Sequence, residues 1–382
     1  MLKCQRDKFL LQRKYSYLNC AYMSPLSKKV ERAGITGIKR KRKPYQVYAE
    51  DFFTDCETLR ILFSKVIGNA QPNRIAILPS VSYGISTVAK NLNNRPGEIL
   101  IVDEQFPSNV YAWKELQHEK VRLKVIARPD GIKTGKEWNS RILEGINRNT
   151  ILVSIGNVHW ADGTKFDLQA IREKTNEHNS LLVIDGTQSV GALPINVEKL
   201  QPDALICAGY KWLFGPYSIG LGYFGPRFDQ GMPLEENWIG RLGSENFGGL
   251  INYEDQYQPV ALRYDVGERS NFILVPMMVA ALKQLLHWGV SDIEKYCKML
   301  TQPLVSFLQE EGLEIEDTEY RSNHLLGLRL PGNLDVSRVQ SRFKQNKVSV
   351  SLRGSSIRIS PNVYNDSKDI ERLMKSLKSA IE

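Results

Sequence analysis

The fold class that this sequence predicts is α/β, with a mostly parallel sheet, and three observations carry that expectation. Seven short apolar runs punctuate the chain up to residue 225, each continuous rather than alternating, as in strands covered on both faces. Amphipathic stretches at helical spacing separate the runs, the alternation of a βαβ chain. Acidic, amide and basic residues sit just after several runs, at the carboxyl ends where open α/β sheets gather their ligands.

Taken in order, residues 1–26 form an N-terminal arm whose extended piece YLNCAYMSP closes on Pro25. Helical patterns follow at 27–43 and 50–67, the second repeating Phe52, Phe53, Cys56, Leu59, Leu62, Phe63 and Val66. The apolar runs are RIAILP, EILIVD, RLKVIA, TILVSIG, LLVIDG, ALICAG and IGLGYFG, the strands of a large domain over 27–255. That domain ends in MPLEENWIGRLGSENFGGLINYED, too irregular for one helix or strand. Such an elaborated loop in a compact domain points to function. Helices at 276–288, 291–311 and 366–381 then flank short strands such as HLLGLRL, a smaller α+β domain over 256–382.

Composition narrows the class. With 42% apolar and 24% charged residues in 382, the chain falls among folded globular proteins rather than disordered or fibrous ones. No apolar run reaches bilayer length, so no membrane partner is expected. The first residues interleave Lys and Arg with apolar side chains and lack the clean core of a secretory signal. Cys4, Cys20, Cys56, Cys207 and Cys297 are odd in number and widely spaced, which predicts reduced thiols and a cytoplasmic protein. The net charge is +9, and the densest basic run is Lys39-Arg40-Lys41-Arg42-Lys43 before Pro44. It reads as the favourable cationic end of a helix. No aromatic interleaving or nucleic-acid motif accompanies it, so a nucleic-acid partner is not expected. A positive field also suits anionic ligands such as a phosphate or an amino-acid carboxylate.

The chemistry concentrates in two stretches. Lys211 lies in AGYKWLFGPYSIG, directly after ALICAG and between Tyr210 and Trp212. Asp185 and Gln188 lie in VIDGTQSVG, at the end of LLVID. Most lysines are solvated surface groups, and an Asp before Gly is commonly a turn residue. Together, however, a lysine at one strand end and an acid and amide at its neighbour form the set that pyridoxal phosphate (PLP) requires. The lysine forms a Schiff base, and the carboxylate keeps the pyridine nitrogen protonated so that the ring can accept electrons. Enclosure after a buried strand would lower the lysine's pKa, as such a role demands. A third stretch, LPSVSYGIST, passes from strand to helix through Ser80-Val81-Ser82. Amides at a helix start suit a dianionic phosphate, with Ser82 as side-chain donor and Val81 as backbone donor. Serines there also serve as N-caps.

These segments and their spacing resemble the class V aminotransferase group of fold-type I PLP-dependent transferases, which includes cysteine desulfurases, isopenicillin N epimerase-like proteins and kynureninases. The resemblance runs from YLNCAYMSP to IRISPNVYN. It implies a large domain with a mostly parallel seven-stranded sheet, a smaller α+β C-terminal domain, and a homodimer with active sites at the interface. It makes Asp185 the pyridinium partner and Gln188 the partner of the ring's phenolic oxygen. Tyr210 is similar to the kynureninase pattern, in which a Tyr hydroxyl reaches the phosphate, while Ala208 replaces a family Ser. Phe106, in EQFPSN, falls where the family stacks a ring on the cofactor. Trp160, in NVHWADG, stands near the ring edge where desulfurases usually have Asn. With Tyr22, Trp238 and Arg241 it is expected to shape the substrate pocket, and its neighbour His159 is expected to be structural. Arg358, in SSIRISPNVYN, resembles the arginine that holds the substrate α-carboxylate, with Arg353 as the alternative. DVGERSN resembles the segment that crosses a dimer interface to the partner's phosphate, with Ser270 and Gly267 as its candidates.

The resemblance implies an external aldimine with a small amino acid, from which Lys211 as general base removes the Cα proton to give a carbanion spread into the ring. Transamination, elimination and epimerisation share that step. An aminotransferase is the reading adopted, and a PLP-dependent lyase (cysteine/selenocysteine lyase or kynureninase-like) or an epimerase is the alternative. Desulfurases need a nucleophilic Cys shortly before the carboxylate arginine, and residues 340–360 contain none. Cys20, on the arm near the expected substrate entrance, is the one thiol that could substitute. No metal site is expected. A dinucleotide-dependent dehydrogenase lacks its G-x-G-x-x-G here. A catalytically inactive binding protein would not need Lys211, Asp185 and Gln188 together.

Overall fold

The computed structural model describes residues 2–92, 95–118, 120–330, 336–353 and 356–381. After a short strand β1 (Ser16–Tyr17) come helices α1 (Lys28–Arg40) and α2 (Thr54–Val66). Ser27 caps α1 by accepting the Val30 amide, and Lys39 and Arg40 complete its last turn. The basic run thus begins as a helix C-terminus, where cations oppose the dipole's negative end.

Seven strands follow: β2 (Ile75–Leu78), β3 (Gly97–Val102), β4 (Val121–Ile126), β5 (Thr150–Gly156), β6 (Leu181–Asp185), β7 (Ala204–Ala208) and β8 (Gly220–Phe224). Helices α3 (Val81–Lys90), α4 (Tyr111–Lys114), α5 (Gly135–Gly145), α6 (Leu168–Glu177) and α7 (Val197–Leu200) connect them. They form one sheet in the order β2-β8-β7-β6-β5-β3-β4. Every residue of β2, β5, β7 and β8 is buried, which explains their unbroken apolar runs. The pairs within β7-β6-β5-β3-β4 are parallel, whereas β8 is antiparallel to both β7 and β2. The β7–β8 link contains no helix, so it cannot make a crossover and returns the chain antiparallel. Helix α3 lies flush on the sheet at Gly84, where a Cβ would stand 2.7 Å from Ile206 Cγ2 and 2.8 Å from Leu78 Cδ1. That close approach sets the α3 N-terminus over the carboxyl edge of the sheet.

Residues 260–288 continue on this body. Val260–Tyr264 packs against β2, and buried Asp265 accepts the Ile77 amide at 2.8 Å while pairing with Arg60 and Arg269. Helix α8 (Leu274–Trp288) packs on α1 and α2. The chain closes with α9 (Val290–Glu310), β9 (Leu326–Arg329), α10 (Val336–Gln345), β10 (Val348–Ser349), β11 (Ser351–Arg353), β12 (Ser356–Ile359) and α11 (Ser367–Ile381). Strands β11-β12-β9 form an antiparallel sheet. The N-terminal arm is tied to this end: β1 pairs with β10, Asn19 bridges Ser360, and Arg6 meets Asp369 at 2.9 Å. Among the described residues no helix is long and apolar enough to cross a membrane.

Candidate active site

Strands β6 and β7 are parallel neighbours with Asp185 opposite Ile206, so the residues that follow them emerge side by side. Lys211 sits in the β7–β8 link, which is anchored by Trp212, Leu213 and Phe214, all fully buried. The link folds back through Gly209 N–H to the Ile219 carbonyl (2.9 Å) and Gly215 N–H to the Gly209 carbonyl (2.8 Å). The arm braces it from outside, Ser24 donating to the Tyr210 carbonyl from both its amide and its hydroxyl. Lys211 is only 6% exposed. Burial lowers its amine from 10.5 to about 8; Asp185 opposes that shift, and Arg358 and Arg353 add to it.

Asp185 ends β6 with one carboxylate oxygen accepting the Thr187 amide at 3.0 Å. Burial raises its pKa, against the pull of Thr187 and Lys211. Gln188 is held at both ends of its amide. Its Nε2 donates to the Ala21 carbonyl (3.2 Å) and its Oε1 accepts from Trp212 Nε1 (2.9 Å). The Gln188 carbonyl accepts from His324 Nε2 at 2.7 Å, and burial pushes that histidine down to about 4, so it is neutral. With its oxygen oriented toward Trp212 and one N–H given to Ala21, the amide keeps a second N–H for a ligand.

Lys211, Asp185 and Gln188 share a cavity of about 260 Å³ with Phe106, Trp160 and Tyr210. Ser80, Val81 and Ser82 line it where α3 begins. The Ser80 hydroxyl caps the helix by accepting the Tyr83 amide (3.2 Å), and Ser82 Oγ lies 3.0 Å from it. The helix dipole and the orphan amides of the first turn make this end of the cavity attractive to an anion. Thr187, Ser108, Tyr217 and Ser218 also line the cavity and had no place in the sequence reading. Thr187 stands inside the D-x-x-Q stretch, where its proximity to Asp185 was a usable signal. Tyr217 and Ser218 arrive only because the link folds back, with Ser218 at φ +65.

Phe106 and Trp160 meet edge to face with centroids 5.3 Å apart. The Lys211 Nζ stands 5.5 Å from the Phe106 centroid. Trp160 is fixed from below: its Nε1 donates to the Glu104 carbonyl (2.7 Å), which also lies 3.1 Å from His159 Nε2. Glu104 adopts φ +51 to turn that carbonyl inward. His159 Nδ1 is 3.2 Å from Asp162, which also pairs with Arg128. Despite burial, His159 and Arg128 hold the Asp162 carboxyl well below the usual range. His159 is therefore part of the support under Trp160.

Arg358 lies directly behind Trp160, 1% exposed, with Nη1 donating to the Trp160 carbonyl at 2.8 Å. Arg353 places its guanidinium 5.4 Å from the Trp160 ring centroid. Several expected contributors lie elsewhere in the single chain. Tyr22 is 55% exposed and does not line the cavity. Ser270 is buried with its hydroxyl directed to the Phe52 carbonyl, and the Gly267 amide donates to Glu235 at 2.9 Å. Trp238 and Arg241 line a separate cavity of about 550 Å³ within the 236–255 loop. Cys20, expected near the entrance, is fully buried beneath the Lys211 link, and burial pushes its thiol up to about 12. The arm folds inward there because Asn19 and Cys20 join the β12 end through Ser360.

The donor set fits PLP: a buried amine whose pKa is lowered, with a carboxylate that would face the pyridine nitrogen, an amide N–H that would meet the phenolic oxygen and a helix start that would receive the phosphate. Phe106 supplies a flat apolar face. Comparisons with known proteins agree. The family model "Aminotransferase class-V" matches residues 42–373. The chain is 28% identical to an uncharacterized aminotransferase, YcbU, of Bacillus subtilis, over 84% of this chain and 82% of that one. It is 22% identical to isopenicillin N epimerase of Streptomyces clavuligerus, over 82% and 81%. Its fold is similar to that of a cysteine desulfurase from Thermococcus onnurineus (TM-score 0.84, 18% identity, covering 99% and 98% of the two chains). The mostly parallel seven-stranded sheet, the lysine link and the family match converge: the chain belongs to the class V aminotransferase family and is a PLP-dependent enzyme.

Proposed function

We propose that the protein is an aminotransferase for an amino acid, with Lys211 as the one group that carries protons to and from the substrate. The observation that carries this reading is the buried Lys211 amine, lowered to about 8 in the cavity it shares with Asp185 and Tyr210. An amine in that range exchanges protons readily near neutral pH. Asp185 would hold a proton on the pyridine nitrogen of the bound cofactor. Tyr210 is pushed up to about 12 by burial and stays protonated. The bound cofactor supplies an electron sink for the pair left at the substrate Cα.

Each residue then has a defined task. Val81 and Ser82 anchor the phosphate through backbone and hydroxyl donors. Gln188 donates to the phenolic oxygen, its amide oriented by Trp212 and Ala21. Phe106 stacks without offering a proton. Arg358 holds the α-carboxylate and so fixes which Cα bond is broken. A single base that removes and returns a proton suits transamination better than epimerisation, which needs a second base on the opposite face. Elimination uses the same single base, and the product assay decides between the two. The expected homodimer belongs to this proposal. Its support is the apolar surface of the 236–255 loop, where Ile251 is 83% and Tyr253 97% exposed. A cytoplasmic location is proposed from the five free cysteines.

The test is to supply the cofactor-loaded protein with L-amino acids and a keto-acid acceptor, and to follow nitrogen. Amino-group transfer to the acceptor supports the aminotransferase. Ammonia or sulfide released without the acceptor identifies a lyase, and inversion at Cα without a keto acid identifies an epimerase.

A further inference from the structure

We propose that the substrate is a dicarboxylic amino acid, Arg358 holding its α-carboxylate and Arg353 its side-chain carboxylate. This rests on the reading above that the cavity processes an amino acid. It begins from strand register. In the β11–β12 pair Ser351 lies opposite Arg358, and Arg353 lies opposite Ser356. Side chains alternate along a strand, so Ser351, Arg353, Ser356 and Arg358 share one face. Leu352 and Ile357 take the other face, where they line an apolar cavity. The two arginines are therefore diagonal cross-strand neighbours, roughly 7–8 Å apart at Cα.

Neither arginine lines the cavity itself, but their shared face abuts its Trp160 wall. Arg358 bonds the Trp160 carbonyl, Arg353 lies over the Trp160 ring, and Trp160 walls the cavity. Both cations are near enough to Lys211 to lower its pKa. Among the described residues neither pairs with a carboxylate. Arg358 has only the Trp160 carbonyl and a long contact to Ser351 Oγ at 3.5 Å, and its buried Nε has no partner. Arg353 spends Nη1 on the Leu352 carbonyl. By contrast, the buried Arg60 and Arg269 share Asp265.

Two unpaired guanidinium groups on one face are costly. Burial and then Arg353 push Arg358 down to about 9. Asp185, the carboxylate lining the cavity, is the group assigned above to the cofactor nitrogen. A monocarboxylic amino acid would neutralise one arginine and leave the other facing it. A second carboxylate on the substrate side chain completes the set, since a planar guanidinium donates two parallel N–H bonds to a carboxylate.

The test compares amino donors of matched shape, glutamate with glutamine and aspartate with asparagine, on the cofactor-loaded protein. The acid should exceed its amide in kcat/KM by on the order of ten- to a hundredfold, the range of a charge-assisted pair. Arg353→Leu should compress that ratio to a few-fold, with Arg353→Gln as the second variant if the first misfolds. Arg358→Leu should slow acid and amide alike. A binding arm needs no turnover: glutarate and succinate should perturb the cofactor absorbance at lower concentration than propionate, and Arg353→Leu should remove that difference. Equal kcat/KM for acid and amide, together with equal binding of glutarate and propionate, would overturn the proposal while leaving the aminotransferase reading intact. If no amino acid is turned over, that reading fails, and the binding arm still decides the class of ligand.

Discussion

Replacing Lys211 by methionine should make the cofactor-free protein more stable at neutral pH. The amine holds its proton up to 10.5 in the unfolded chain and gives it up at about 8 in the fold, chiefly because of burial. That difference corresponds to about 3 kcal/mol. Below about pH 8 both states are charged and the folded state bears the whole penalty. Between the two values only the unfolded chain is charged, so stability rises with pH, and above 10.5 the penalty is gone. Methionine has a similar length and no charge, and it removes the penalty at every pH. The variant should therefore be more stable by about 3 kcal/mol at pH 7, and by less than half of that near pH 9.5. Urea unfolding followed by tryptophan fluorescence, with equal slopes for the two proteins, measures the gap. A gap near zero at pH 7, or one that widens as pH rises, would refute burial as the cause of the lysine's shift.

Asp185→Asn should still bind the cofactor but lose two or more decades in turnover, about 3 kcal/mol of barrier, because a neutral pyridine accepts electrons poorly. Unchanged turnover in a folded variant would remove Asp185 from the chemistry. Trp212→Phe should free the Gln188 amide to rotate, and the absorbance of the bound cofactor should shift; an identical spectrum would mean that the Trp212 bond does not orient the amide. No persulfide should form on Cys20 when L-cysteine is supplied without reductant, since burial holds its thiol at about 12. Mass spectrometry finding one there, at the rate of alanine release, would return the chain to persulfide chemistry.

Much of the fold was legible because buried strands and amphipathic helices leave separate periodicities. Each of the seven apolar runs contains one strand of the main sheet, within a residue at its edges. The direction of β8 was not, because apolar runs carry no polarity and only the lack of a helix in the Lys211 link decides it. The meeting of Asp185, Gln188 and Lys211 in one cavity was legible because they follow adjacent strands and keep their local spacing.

Less local features did not show. Trp212 and Ala21 fix Gln188 from opposite ends of the chain, and no pattern in sequence links them. The Glu104 carbonyl supports Trp160 through a strained backbone, which composition cannot reveal. Cys20 was expected near the entrance because it lies on the N-terminal arm; pairing with the β12 end draws it into the core instead. Arg353 and Arg358 were weighed as alternatives, since only the β11–β12 register shows that they share a face.

Lys211 is proposed above all as the residue that holds the cofactor. Borohydride treatment of the cofactor-loaded protein, followed by proteolysis and mass spectrometry, tests it most directly. A stable pyridoxyl phosphate adduct should form on the peptide containing Lys211 and be lost in Lys211→Met; an adduct on any other lysine would remove Lys211 from that role.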